Sequence, residues 1–155
     1  MSNPFWDYSI AVYSRQGVAP ACLALQDSFD LDVNLLLYAA WLAHLGQRLD
    51  QDHLSAVEAL VADWRDNMVR PLRRVRQHWR ESPQAVELRE GIKSLELRAE
   101  QQQQDAMYGF HQGAAALSDS PQSLRENLVL VAALSGEKSA TKAAAIERLA
   151  KAFTE

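Results

Sequence analysis

Residues 33–43 read Val-Asn-Leu-Leu-Leu-Tyr-Ala-Ala-Trp-Leu-Ala, with Asn34 the one strongly polar member. A helix that is apolar on every side has no face to give to water and belongs at the centre of an all-helical domain. The run falls short of the roughly 20 apolar residues that a bilayer span requires. Asp32 suits an N-cap, where its carboxylate accepts a backbone N–H at the positive end of the helix dipole. Gly46 suits the stop. A central helix near 33–45 follows, and with it an all-α, single-domain bundle of six to eight helices.

Other punctuation agrees. Asn3-Pro4 starts a helix of about 4–16 ending at Gly17, its apolar face formed by Phe5, Trp6, Ile10, Val12 and Tyr13. Ala19-Pro20 opens a second, about 20–29, with Leu23, Leu25 and Phe29 apolar. A third signal begins near Asp52 or at the capping box Ser55-Ala-Val-Glu58. Its stripe, Leu54, Val57, Val61, Trp64, Met68, Leu72, Val75 and Trp79, keeps helical spacing through Pro71. This predicts one rod over about 53–81, kinked or broken near Arg70-Pro71, or two helices at a wide angle.

Ser82-Pro83 starts a long helix to about 111, facing inward with Leu88, Ile92, Leu95, Ala99, Ala106 and Phe110, while Glu100 to Asp105, with four glutamines, reads as solvated surface. After a loop at 112–119, Ser120-Pro121 opens a helix to about Ser135, with Leu124, Leu128, Val131 and Leu134 inward. An alanine-rich helix, about 139–153, closes the chain, and 137–155 is the segment expected to dock loosely or to meet a partner. The domain reading is 1–155 as one unit.

A chain of 155 residues buries roughly two-thirds of its unfolded surface. Net charge is −4, with ten acids and eight bases in each of 1–81 and 82–155. No half is a polyanion-binding tail, and nucleic acid is disfavoured. The single cysteine, Cys22, allows no intramolecular disulfide, the N-terminus lacks a signal-peptide pattern, and no apolar run spans a membrane. A cytoplasmic protein is expected.

Arg65, Arg70, Arg73, Arg74, Arg76 and Arg80 are six of the sixteen bases and fall within sixteen residues. Guanidinium forks suit phosphate and carboxylate, so Arg70, Arg73, Arg74, Arg76 and Arg80 are candidates for holding an acidic protein or a phosphate-bearing ligand. The plainer reading pairs them with Asp63, Asp66, Glu81 and the acids of neighbouring helices. Asp27, Asp30 and Asp32 cluster before Asn34, but their spacing does not match a calcium loop. Asn34 needs a hydrogen-bond partner, Asp27 being one option. Asp27, Asp32, Asn34 and Trp41 are the candidates for a ligand pocket. His44, His53, His78 and His111 form no metal motif, Cys22 reads as a small buried hydrophobe, and no phosphate loop, nucleophile elbow or dinucleotide fingerprint is present. No catalytic residue, metal or cofactor is assigned.

Three segments together carry a resemblance: Phe5-Trp6 through Val12-Tyr13, Gly17-Val18 through Cys22-Leu23-x-Leu25-Gln26-Asp27, and Asp32-Val33-Asn34-Leu35-Leu36-Leu37 through Trp41-Leu42, followed by Trp64-Arg65 and Pro71-Leu72-Arg73. Over about residues 5–80 the chain resembles a family of small uncharacterised proteobacterial proteins defined as a domain of unknown function. The resemblance implies a bacterial cytoplasmic protein and carries over no functional residue. The function expected first is a non-enzymatic interaction or adaptor protein using the arginine-rich face. A small-ligand-binding or enzymatic bundle with a pocket near Asp27, Asp32 and Asn34 is the alternative, and a nucleic-acid accessory protein the third. A homodimer through the last helix is compatible with each.

Overall fold

The computed structural model describes residues 2–121, 123–136 and 138–155, and it is an all-α bundle. Among the described residues the one β feature is an isolated bridge between Gln47 and Asp119. Gln122, inside the helix expected from Ser120, and Glu137, first of the expected C-terminal segment, lie outside the described residues.

Helix α1 (Pro4–Tyr13) has the expected start, with Asn3 Oδ1 accepting the Trp6 N–H at 3.1 Å. It ends three residues early and buries Phe5, Ser9 and Val12. Ile10, assigned to the apolar face, is half exposed, because the inward row is spaced 5, 9, 12 and residue 10 falls beside it. Gly17, at φ +88°, turns the chain directly into α2 (Val18–Phe29), so Pro20 lies within the first turn, where its missing N–H leaves no bond unmade. Leu25 and Phe29 are buried and Leu23 is exposed at the bundle edge.

Helix α3 (Val33–His44) is the central element, with every residue from Asn34 to Leu42 buried. Asp32 caps it, Oδ1 accepting the Asn34 N–H at 2.8 Å, and Gly46 follows its end at φ +78°.

Helix α4 (Gln51–Trp64) is capped by Asp50, which accepts the His53 N–H at 2.8 Å; the start expected at Asp52 or Ser55 is therefore corrected. A π-helical turn, Arg65–Val69, joins it to α5 (Arg70–His78). Trp64, Arg65, Val69 and Arg70 all have right-handed helical dihedrals, so the rod does not break at Pro71. The π-turn already resets the backbone hydrogen-bond register just before the proline, which accommodates the lost donor. The stripe, however, does not keep its phase. The extra residue in the wide turn exposes Met68 and buries Val69. It also turns Arg73 and Arg76 of the expected arginine-rich face toward the next helix.

That helix, α6 (Val86–Gly113), follows a 3₁₀ turn at Pro83–Ala85. Its inward face is Glu96, Ala99, Gln103, Gln104 and Met107. Leu88 and Leu95, expected inside, are 62% and 48% exposed, and Ala106 is exposed too. The glutamine stretch is solvated only in part: Gln101 and Gln102 are exposed, whereas Gln103 and Gln104 are each 1% exposed. Polar partners on α3 make that burial tolerable, with Gln103 Nε2 donating to Asp32 Oδ2 at 2.9 Å and Gln104 Nε2 to Asn34 Oδ1 at 3.0 Å.

Helix α7 (Ser123–Ala132) continues into a 3₁₀ turn (Ala133–Ser135) that leaves Leu134 exposed, contrary to expectation. Helix α8 (Ala140–Thr154) packs on α2 and α7 through Ile146, Leu149 and Phe153. Buried Asn127 latches α7 to the α3–α4 connection: Oδ1 accepts the Leu49 N–H at 2.8 Å, and Nδ2 donates to the Ala39 and Gln47 carbonyls at 3.1 Å each.

Candidate functional site

A cavity of about 340 Å³ opens between α1, α2, α3, α5 and α6. Its apolar walls come from Trp6, Ile10 and Tyr13 of α1, Leu23 of α2, Val33 and Leu37 of α3, and Leu97 of α6. Its polar groups come from Ser9, Gln26, Asn34 and Gln104, and from five charged residues: Arg73, Arg76, Lys93, Glu96 and Glu100. Concave, mostly apolar walls with a few convergent polar groups are the general form of a small-molecule site, and the volume lies in the usual range.

The charged groups form one network where α5 crosses α6. Arg76 forks onto Glu96, Nε to Oε1 at 2.5 Å and Nη2 to Oε2 at 3.2 Å. Arg73 is held more loosely, with Nε 3.4 Å from Glu96 Oε2 and Nη2 3.5 Å from Glu100 Oε1. Burial, and next the Glu96 charge, push the Glu100 carboxyl up to about 7, against the pull of Arg73. Burial, with smaller contributions from Cys22 and Glu100, pushes the Tyr13 hydroxyl up to about 12. The hydrogen bond it donates to Glu96 raises the Arg76 guanidinium above its ordinary value.

Two polar atoms in the wall are unmatched. Ser9 Oγ and Gln104 Oε1 find no hydrogen-bond partner among the described residues, although Ser9 is 3% exposed and Gln104 is buried as noted. A buried polar group without a partner costs on the order of 1–3 kcal/mol, so each is an unmet demand at the cavity.

The residues singled out in the sequence separate into groups. Asn34, Arg73 and Arg76 share the cavity. Asn34 bonds Gln104 rather than Asp27, which is exposed. Asp32 sits just outside, where Oδ1 caps α3 and Oδ2 accepts from Gln103 and from Arg65 Nη1 at 3.3 Å. Arg65 is itself buried and forks onto Glu58 at 2.7 and 2.8 Å while touching Asp66 at 3.1 Å. Burial lowers its pKa, but Glu58, Asp32 and Asp66 more than offset that, holding it above its ordinary value. Arg70 pairs with Asp30 at 3.3 Å and Asp66 at 3.5 Å. Arg74 and Arg80 are exposed and form no ion pair among the described residues. Trp41 belongs to the core, 5.2 Å from Phe5 and 4.8 Å from His111 between ring centroids. Ser9, Glu96, Glu100 and Gln104 were not anticipated. For Glu96, Glu100 and Gln104 the signal was present as a polar row at helical spacing on α6, matched to Asp32, Asn34, Arg73 and Arg76 on its neighbours.

Among the described residues no group of three or more His, Cys, Asp or Glu side chains is placed to hold a metal, and no helix is long and apolar enough to cross a membrane. Buried His53 Nε2 lies 2.7 Å from the Tyr38 hydroxyl, and His111 Nε2 lies 2.9 Å from Gln47 Oε1. Both are tied into the fold away from the cavity.

Fold and cavity together define a class: an all-helical bundle with an amphipathic pocket in its side. The chain belongs to the family described as Protein of unknown function (DUF2390), whose model matches residues 4–107. That range extends the resemblance read over 5–80 and takes in every cavity residue, from Trp6 to Gln104. No curated protein and no solved structure matches the chain.

Proposed function

We propose that this protein is a small-molecule-binding helical bundle that receives an amphipathic ligand in the cavity between α1, α3 and α6. The observation that carries the reading is the pair of buried, unmatched atoms, Ser9 Oγ and Gln104 Oε1, in the wall of a mostly apolar cavity. A ligand that bonds them and covers Trp6 and Leu37 removes the cost of those unmatched atoms. The adaptor reading has less to use. Arg70 and Arg76 are engaged by acids of the same chain and Arg73 lies in the cavity wall, which leaves Arg74 and Arg80 for an acidic partner.

Native mass spectrometry of freshly purified protein tests the proposal, with Leu97→Trp alongside. Leu97 is half exposed at the cavity rim, so a bulky residue there blocks the opening without disturbing the core. The expected result is a retained small-molecule mass with the wild type that is lost with the variant. A bare polypeptide mass in both cases overturns it.

A further inference from the structure

Arg73 lies in the cavity wall with its guanidinium loosely held. Its guanidinium carries five N–H donors, yet among the described residues its acid contacts are two long ones, at 3.4 and 3.5 Å. Arg76, one turn along, is closed by Glu96. Lys93 adds a cation, its nearest acid being Glu90 on the outer surface at 3.7 Å. The cavity wall thus holds three cationic side chains against two acidic ones, and of its two guanidinium groups Arg73 is the more loosely held.

We propose that the ligand is an amphipathic anion whose carboxylate or phosphate docks on Arg73, with its apolar body along Trp6 and Leu37, and that Glu100 gives up Arg73 and takes a proton from solution as the anion arrives. This deepens the ligand-binding reading and rests on it. Where Glu100 is ionised the exchange is balanced: one negative charge enters, one is neutralised by the proton, and Arg73 changes partner; with Glu100 at about 7, the average uptake at pH 7 is about half a proton. Glu100 is suited to that role. It is packed among Glu96 on its own helix, Arg73 and Arg76 of α5, Tyr13 of α1 and Asp32 at the start of α3, and it already stands near neutrality in its proton affinity. Removing Arg73 from it leaves burial and the Glu96 charge unopposed by their main counterweight, so protonation follows.

Isothermal titration at pH 7 with decanoate, decyl phosphate, decanol and decylammonium tests this. The two anions are expected to bind at least tenfold tighter than decanol and decylammonium, and the tighter of the two names the head group. In Arg73→Gln the ratio of decanoate to decanol affinity falls to about one, decanol binding itself reporting that the cavity is intact. Decanoate titrated in two buffers of different ionisation enthalpy shows proton uptake that vanishes in Glu100→Gln. Equal binding of anion, alcohol and amine overturns the anion inference and leaves the cavity reading standing. Failure of all four probes overturns both, and anion binding without proton uptake overturns the Glu100 exchange.

Discussion

Gln104 Nε2 donates to Asn34 Oδ1 across 3.0 Å, and both amides are buried between α3 and α6. The bond is the reason a glutamine is tolerated where the bundle would otherwise take leucine. Gln104→Leu or Asn34→Leu alone strands the other amide and costs about 1–3 kcal/mol. The double substitution removes donor and acceptor together and comes out nearer the wild type than the sum of the singles. Urea unfolding of the four proteins measures the coupling, and simple additivity would show that the two amides do not interact.

Arg65 ties Glu58, Asp32 and Asp66 together from a buried position. Arg65→Met leaves the partly buried acids without a counter-charge, at about 3–5 kcal/mol. Arg65→Lys retains the charge but not the fork, and it recovers only part of the loss. Chemical denaturation midpoints rank the three, and a lysine variant as stable as the wild type would remove geometry from the account.

Asn127 makes three hydrogen bonds from a fully buried site. Asn127→Ala is expected to cost about 3 kcal/mol, which lowers the melting temperature by roughly 10 °C for a chain of this size. Thermal circular dichroism measures it, and a shift within 2 °C would mean that the latch contributes little.

Acid–base behaviour has two opposed parts. Glu100, raised from 4.5 to about 7 mainly by burial, binds a proton in the folded chain that the unfolded chain releases. Its contribution to stability therefore falls as pH rises through that window. His53 and His111 are lowered from 6.5, mainly by burial. Their contribution is complete above 6.5 and is lost as pH falls through their folded values. Glu100→Gln is expected to remove the decline between about pH 5 and 7 and leave the acid-side loss from the histidines. Melting temperatures across pH separate the two, and a variant profile parallel to the wild type would contradict the assignment.

Burial pushes the Cys22 thiol up to about 12. A colourimetric thiol reagent at about pH 8 is expected to leave the native protein essentially unlabelled and to titrate the thiol fully in denaturant. Rapid native labelling would place Cys22 at an accessible position.

Much of the fold was legible because it rests on local rules. Asn3-Pro4, Asp32 and Gly46 act through backbone geometry and capping that need no tertiary context. The apolarity of α3 likewise has one physical outcome. The site was less legible because it depends on which polar residues are buried against which. Gln103 and Gln104 read as solvated until Asp32 and Asn34 are known to lie opposite them. Leu88 and Leu95 have the spacing of a core stripe, but the row α6 turns inward is Glu96, Ala99, Gln103 and Met107, which leaves both leucines on its outer side. The stripe through Met68 failed for a different reason: periodicity assumes a uniform helix, and no residue pattern announced the wide turn at Arg65–Val69.

That wide turn sets the azimuth of everything beyond it. One surplus residue in a helix rotates the following segment by about 100°, and here the rotation aims Arg73 and Arg76 at the carboxylates of α6 instead of at water. The length of the 65–69 segment, more than the identity of any residue in it, acts as a gear between the scaffold and its charged lining. A deletion of one residue there would leave a folded rod whose guanidinium groups address the wrong neighbours.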